Sequence, residues 1–221
     1  MAKNKRCSTG IPNLDKKLGG GFPPGPRTIL VSGGCGTGKT TFGVQFVYKG
    51  IVDYKEPGIL INFEQNISQL KEDMLNFGFD LQKLEDENML RIYDRSSAEE
   101  GKHDMISFLI EKAREIDAKR IVIDSMQTLE YLLGSEIQFT IASTCDALKR
   151  AGLTTLILAE SRTDEIDISK DVESYIVDGV IILSIHEALD TRKLIIRKMR
   201  GTAHTLKPME MRICENGIEV D

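Results

Sequence analysis

The run GGCGTGKTT, Gly33 to Thr41, holds four glycines, three threonines and one lysine in nine positions. Glycine loses more conformational freedom on folding than any other residue, so a loop built from it must gain something by lacking side chains. Gly33, Gly38, Lys39 and Thr40 satisfy the spacing G-x-x-x-x-G-K-[ST]. With few Cβ atoms in the way, the backbone N–H groups of Gly33, Gly34, Cys35, Gly36, Thr37 and Gly38 can turn inward as an anion cradle. A helix opening at Lys39, with Thr41 in its first turn, adds unpaired N–H groups and the positive end of its dipole. Lys39 is then placed to reach the β- and γ-phosphates of a nucleotide such as ATP, and the Thr40 hydroxyl to ligate Mg²⁺.

Two carboxylates end apolar runs. Asp124 closes RIVID (120–124), the arrangement that holds Mg²⁺ beside such a loop. Glu64 closes GILINFE (58–64), where a carboxylate could take a proton from water attacking the γ-phosphate. The plainer alternatives are a helix-capping Asp and a rim Glu in a salt bridge. Further on, IIRKMRGTAHT (195–205) places Lys198, Arg200, Thr202 and His204 on one face, provided the strand continues through Gly201. Such a face suits a polyphosphate, and equally a basic strand edge that deters aggregation.

The elements that must position these groups follow from hydrophobic patterning. TILVS (28–32), GILINFE, RIVID, TLILAES (155–161) and GVIILSI (179–185) read as buried strands. Between them lie helical stripes: Phe42 to Val47 in a helix ending at Gly50, Leu70, Met74 and Phe77 between an Asn66/Gln69 capping pair and Gly78, Ile106 to Ile116, and Ile141 to Leu148 ending near Gly152. Strands alternating with helices predict an α/β fold, a mostly parallel central sheet with helices on both faces, and ligands at the carboxyl ends of the strands. With 221 residues, one domain spanning 1–221 behind a short lead-in, 1–27, is the expected organisation.

Composition excludes several function classes. No apolar run reaches the roughly eighteen residues of a membrane span, and the basic start MAKNKRCSTG has no apolar stretch behind it. Cys7, Cys35, Cys145 and Cys214 show no C-x-x-C spacing, which fits a reducing cytoplasm better than a zinc site or a disulfide framework. His103, His186 and His204 are too dispersed for a metal cluster. The net charge of −5 disfavours non-specific nucleic-acid binding.

Together the glycine loop, the strand-ending acids and the basic strand resemble a single RecA-like domain of the KaiC type. The resemblance runs from STGIPNLDKKLGGGFPPG (8–25) through FEQN, IVIDS and LILAES to KMRGTAH, essentially end to end. It implies a P-loop ATPase of the ASCE class that holds ATP between subunits, usually in a hexameric ring. Thr40 and Asp124 would serve Mg²⁺, Glu64 would be the base, and Lys198, Arg200, Thr202 and His204 would reach the ATP of the adjacent subunit. Cations supplied in trans can be worth about 10³–10⁵ in rate.

Three features depart from that pattern. Gln65 stands where the family commonly has a second glutamate, which removes a two-carboxylate mechanism and implies slow turnover. Cys35 occupies a loop position often held by Ala, as a small filler or as a thiol activated by the helix N-terminus. One domain is present where the clock protein has two, so a clock role does not carry over. The leading expectation is therefore a Mg²⁺-dependent oligomeric regulatory ATPase with a protein partner.

Two other readings stand beside it. A recombinase paralogue binding single-stranded DNA is disfavoured by the acidic stretch ESRTDEIDISKDVESYIVD (160–178), although Lys3, Lys5 and Arg6 offer another face. A nucleotide-gated scaffold with little hydrolysis is kept open by Gln65, and autophosphorylation at Ser135, Thr140, Ser143 or Thr144 is a weaker variant.

Overall fold

The computed structural model describes residues 5–94, 105–126, 137–161 and 176–221. Ser135 and most of the acidic stretch 160–178 lie outside the described residues, as does the Thr140 side chain. The elements are α1 (Pro12–Lys17), β1 (Thr28–Gly33), α2 (Lys39–Tyr54), β2 (Gly58–Asn62), α3 (Ile67–Leu75), α4 (Leu81–Asp86), β3 (Leu90–Tyr93), α5 (Met105–Glu115), β4 (Arg120–Asp124), α6 (Ile137–Arg150), β5 (Thr154–Glu160), β6 (Gly179–His186), β7 (Thr191–Met199), β8 (Met209–Cys214) and β9 (Gly217–Val220).

The strands form one sheet in the order β3-β2-β4-β5-β1-β6-β7-β8-β9. The first six are parallel, and β7, β8 and β9 continue antiparallel. Apolar runs such as ILI and IVI are buried on both faces, and successive residues serve opposite cores, as the period of two requires. Val31, Leu60, Val122 and Leu158 pack with Phe42, Phe46 and Val47 of α2 on one side. Leu30, Ile59, Ile61, Ile121 and Ile123 pack with Leu109 and Ala113 of α5 and Ile141 and Leu148 of α6 on the other. Parallel register brings the ends of β1, β2 and β4 to one rim: Asn62 lies opposite Asp124, and Gly33 opposite Glu160.

Several element boundaries differ from the sequence expectations, each for a visible reason. α2 does not stop at Gly50 but runs to Tyr54, where Lys55 takes a left-handed conformation. Gly50 is there because a Cβ would lie 2.4 Å from the guanidinium carbon of Arg120. That side chain is 1% exposed. It donates to Glu56 Oε2 from Nε and Nη2 (2.9 and 2.7 Å) and, from Nη1, to the Ser8 and Phe46 carbonyls (2.8 and 2.9 Å). The guanidinium also lies 4.5 Å from the Phe46 ring centroid.

At α3 the Asn66 side chain accepts from Ser68 N–H as expected, but Gln69 bonds forward to Asp73 rather than back to the cap. The lead-in is tied down by Asp15, which accepts from the Ser8 and Thr9 hydroxyls (2.6 and 2.7 Å) and from Thr9 N–H (2.7 Å).

Arg120→Ala would remove the buried donors to the Ser8 and Phe46 carbonyls and leave Glu56 only the more distant, exposed Lys5, 3.7 Å away. Its expected cost is about 3 kcal/mol, read as a lowered denaturant midpoint; a loss under about 1 kcal/mol, the range of an exposed ion pair, would show that the cluster contributes no more than one.

Candidate active site at the strand-end rim

Close approach shapes the glycine loop between β1 and α2. A Cβ on Gly33 would stand 2.6 Å from the Leu183 carbonyl of β6 and 2.7 Å from the Thr37 hydroxyl. Gly36 and Gly38 take φ of 73° and 96°, the left-handed region that glycine enters at no steric cost. The buried Thr37 hydroxyl ties the loop by donating to Gly34 O at 2.8 Å. Lys39 Nζ folds back over the loop onto Gly33 O and Gly34 O (2.9 and 2.8 Å), bonds that a phosphate oxygen can replace. Arg192 of β7, which sequence reasoning did not single out, donates from Nε to Gly36 O at 3.3 Å. Cys35 is exposed, whereas Thr41 is buried.

Asp124 ends β4 at 1% exposure, and the peptide bond that follows it is cis. Thr40 donates its hydroxyl to Asp124 Oδ2 at 2.7 Å, while Oδ1 is buried without a hydrogen-bond partner. Burial pushes this carboxyl up to about 6; Thr40's hydrogen bond works against the rise, Glu64's charge adds to it and Lys39's opposes it. A buried, half-satisfied carboxylate beside a threonine hydroxyl is a donor set that suits a hard cation such as Mg²⁺. Among the described residues no group of three His, Cys, Asp or Glu could hold a metal alone, so further ligands would come from nucleotide and water.

Glu64 is exposed and does not end a strand: β2 stops at Asn62, and residues 63–65 form a turn. The basic segment departs from expectation too. β7 ends at Met199, and Gly201 takes φ +81°, so the extended run does not continue and the four residues do not share one strand face. Lys198 Nζ donates to Val177 O at 2.8 Å, and Arg200 lies 3.9 Å from Asp178. Thr202 turns onto the lead-in, accepting from Arg6 Nη2 (2.7 Å) and donating to Leu18 O (3.2 Å). His204 Nδ1 lies 3.3 Å from Thr205 O.

Because β7 is antiparallel, Met199 pairs with Gly179, four residues down β6 from Leu183, the partner of Gly33. At about 3.3 Å per residue, the end of β7 at Lys198 and Arg200 is offset from the glycine loop of its own chain by roughly 13 Å along the strand direction alone. Asp178, the last residue of the acidic stretch 160–178, is buried and pairs with Arg27, Lys149 and Arg200. Arg6 also donates to Leu18 O and Gly21 O, so it is not part of an open basic face.

The family described as ATPase: KaiC matches residues 7–221. The chain belongs to the KaiC ATPase family. It is 37% identical to UPF0273 protein MJ1359 of Methanocaldococcus jannaschii, covering 98% of this chain and 96% of that protein. It is 38% identical to the circadian clock oscillator protein KaiC of Parathermosynechococcus lividus, over 96% of this chain but 41% of that protein, so it spans about two fifths of that KaiC. The crystal structure of KaiC-like protein PH0186 from Pyrococcus horikoshii OT3 superposes with a TM-score of 0.87 at 34% identity, covering 99% of this chain and all of that one. The KaiC-like chain is therefore an ATP-binding module with a RecA-like α/β fold. None of its described helices is long and apolar enough to cross a membrane.

The raised carboxyl makes a prediction for the metal-free protein. A group whose folded value lies above its unfolded one favours the folded state when protonated, so its ionisation penalty is complete above about pH 6 and fades toward pH 4. Wild-type stability relative to Asp124→Asn should therefore rise as pH falls through that window in parallel denaturant titrations. A difference that stays flat would mean that Asp124 ionises as freely folded as unfolded.

Proposed function

We propose that the chain, acting as one RecA-like unit over 1–221 with its lead-in at 1–27, is a Mg²⁺-dependent ATPase that binds ATP at the boundary between subunits of a ring, with a hexamer favoured. The observation that carries this reading is the antiparallel course of β7. Lys198 and Arg200 leave the sheet far from the glycine loop of their own chain, so cations from this segment serve a nucleotide held by a neighbour.

Within one subunit, the N–H groups of Gly33, Gly34, Cys35, Gly36, Thr37 and Gly38, with those of Lys39, Thr40 and Thr41 at the helix start, bind the phosphates. Lys39 exchanges its carbonyl partners for β- and γ-phosphate oxygens. Thr40 and Asp124 would hold Mg²⁺, which when bound neutralises charge on those phosphates. Glu64 orients the attacking water and accepts its proton as the water oxygen bonds to the γ-phosphorus and the bond to the ADP oxygen breaks. Lys198 and Arg200 of the adjacent subunit stabilise the charge that develops, with Thr202 and His204 shaping the same turn.

Gln65 favours slow turnover, since an amide cannot act as a second base. A nucleotide-gated scaffold with little hydrolysis is the second reading, and the same Gln65 supports it. Protein rather than DNA is the proposed partner, because the stretch 160–178 is acidic and Arg6 is occupied by Leu18, Gly21 and Thr202. The four free thiols suit a cytoplasmic setting; desolvation raises Cys7 and Cys145 to about 11 and keeps them protonated, while Cys35 is exposed.

Glu64→Gln should retain ATP binding by equilibrium dialysis and lose turnover by about 10²-fold or more. Unchanged turnover would remove Glu64 from the base role. Wild-type hydrolysis per subunit should rise with protein concentration, in step with ATP-dependent assembly followed by sedimentation; a rate independent of concentration in a monomeric protein would contradict the shared site.

A further inference from the structure

We propose that Asn62 is the positioning residue for Glu64, fixing the turn that carries this carboxylate relative to Asp124. The inference rests on the reading of Glu64 as the group that orients the attacking water. Asn62 ends β2 and is 1% exposed. Asparagine is depleted from strands and favoured in turns, where its side chain bonds nearby backbone. Here Oδ1 accepts from the N–H groups of both Glu64 and Gln65 (3.3 Å each), while Nδ2 donates to Gln65 O at 3.0 Å. The amide can satisfy this set in one orientation only, because two donors need its oxygen and a carbonyl needs its nitrogen. These bonds turn the N–H groups of residues 64 and 65 toward Asn62 and end the strand two residues before Glu64.

The adjacent rung supplies the second half of the clamp. Asn62 lies opposite Asp124 between β2 and β4, and Phe63 N–H donates to the Asp124 carbonyl at 2.8 Å. The turn bearing Glu64 is thus hung from the backbone of the residue whose carboxylate Thr40 engages. Glu64 itself is exposed, so its placement depends on this buried anchor. A displacement near 1 Å at a reacting group can cost on the order of 10²-fold in rate, which makes such an anchor matter to turnover and not to nucleotide affinity.

The test is a double-mutant cycle in the full chain, using single-turnover hydrolysis, ATP binding and thermal unfolding for Asn62→Ala, Glu64→Gln and the pair. Asn62→Ala should lose roughly 10- to 100-fold in rate with ATP affinity unchanged, and the double variant should be no slower than Glu64→Gln alone. An unchanged rate in Asn62→Ala, or a double variant slower by the full single-variant factor, would overturn the proposal. Turnover retained by Glu64→Gln alone would instead overturn the reading of Glu64, and the proposal with it. Should Asn62→Ala fail to fold, Asn62→Ser keeps a hydroxyl acceptor for the turn, and the same cycle should show a smaller loss with the same non-additivity.

Discussion

Asp124 holds a carboxylate almost wholly out of water with one oxygen bonded to Thr40 and the other unmatched. The rim of the sheet is arranged around this imbalance. Thr40 comes from the start of α2, Lys39 precedes it and is turned back on the loop carbonyls, and Glu64 stands near enough for its charge to be felt. A buried polar group left unmatched costs free energy. On the proposed reading, a site that receives Mg²⁺ and a nucleotide together would hold its groups in place before either arrives, and binding would remove the imbalance.

The opposite rim shows the contrast. Arg120 begins the strand that Asp124 ends, and it is equally buried. Its donors reach Glu56 and the carbonyls of Ser8 and Phe46, with an aromatic ring alongside. A buried charge matched in this way holds parts together: the lead-in, α2 and β4 meet at one guanidinium. One strand thus carries a satisfied charge where the chain needs cohesion and an unsatisfied one where it needs a ligand. Asp178 belongs with the first kind, gathering Arg27, Lys149 and Arg200 at the foot of β6.

Much of this was legible in the sequence where the chemistry is local. The glycine loop, Lys39, Thr40 and the strand ending in Asp124 depend on residues adjacent in the chain, and the parallel sheet follows from apolar runs alternating with helical stripes. What escaped depends on distant partners or on side chains that bend the backbone. Gly50 looks like a helix stop until Arg120, seventy residues on, occupies the space a side chain would take. Phe63 and Glu64 extend an apolar run, yet Asn62 captures the following N–H groups and ends the strand. The shared face of Lys198, Arg200, Thr202 and His204 depended on the strand continuing through Gly201, and the turn there ends it. Asp178 sits among acidic neighbours in the chain, although its partners are Arg27 just before β1, Lys149 of α6 and Arg200 just after β7. The Asn62 signal was available: an asparagine closing a buried run two residues before a glutamate is a turn in waiting.

If one subunit supplies the phosphate loop and another the cations, mixing two inactive variants tests that division most directly. Lys39→Ala removes the loop lysine and keeps the basic turn, while Arg200→Ala does the reverse. Each alone should hydrolyse ATP poorly, and a mixture allowed to reassemble should recover activity, because some boundaries then pair an intact loop with an intact arginine. A mixture no more active than its components, or full activity in Arg200→Ala alone, would contradict the account.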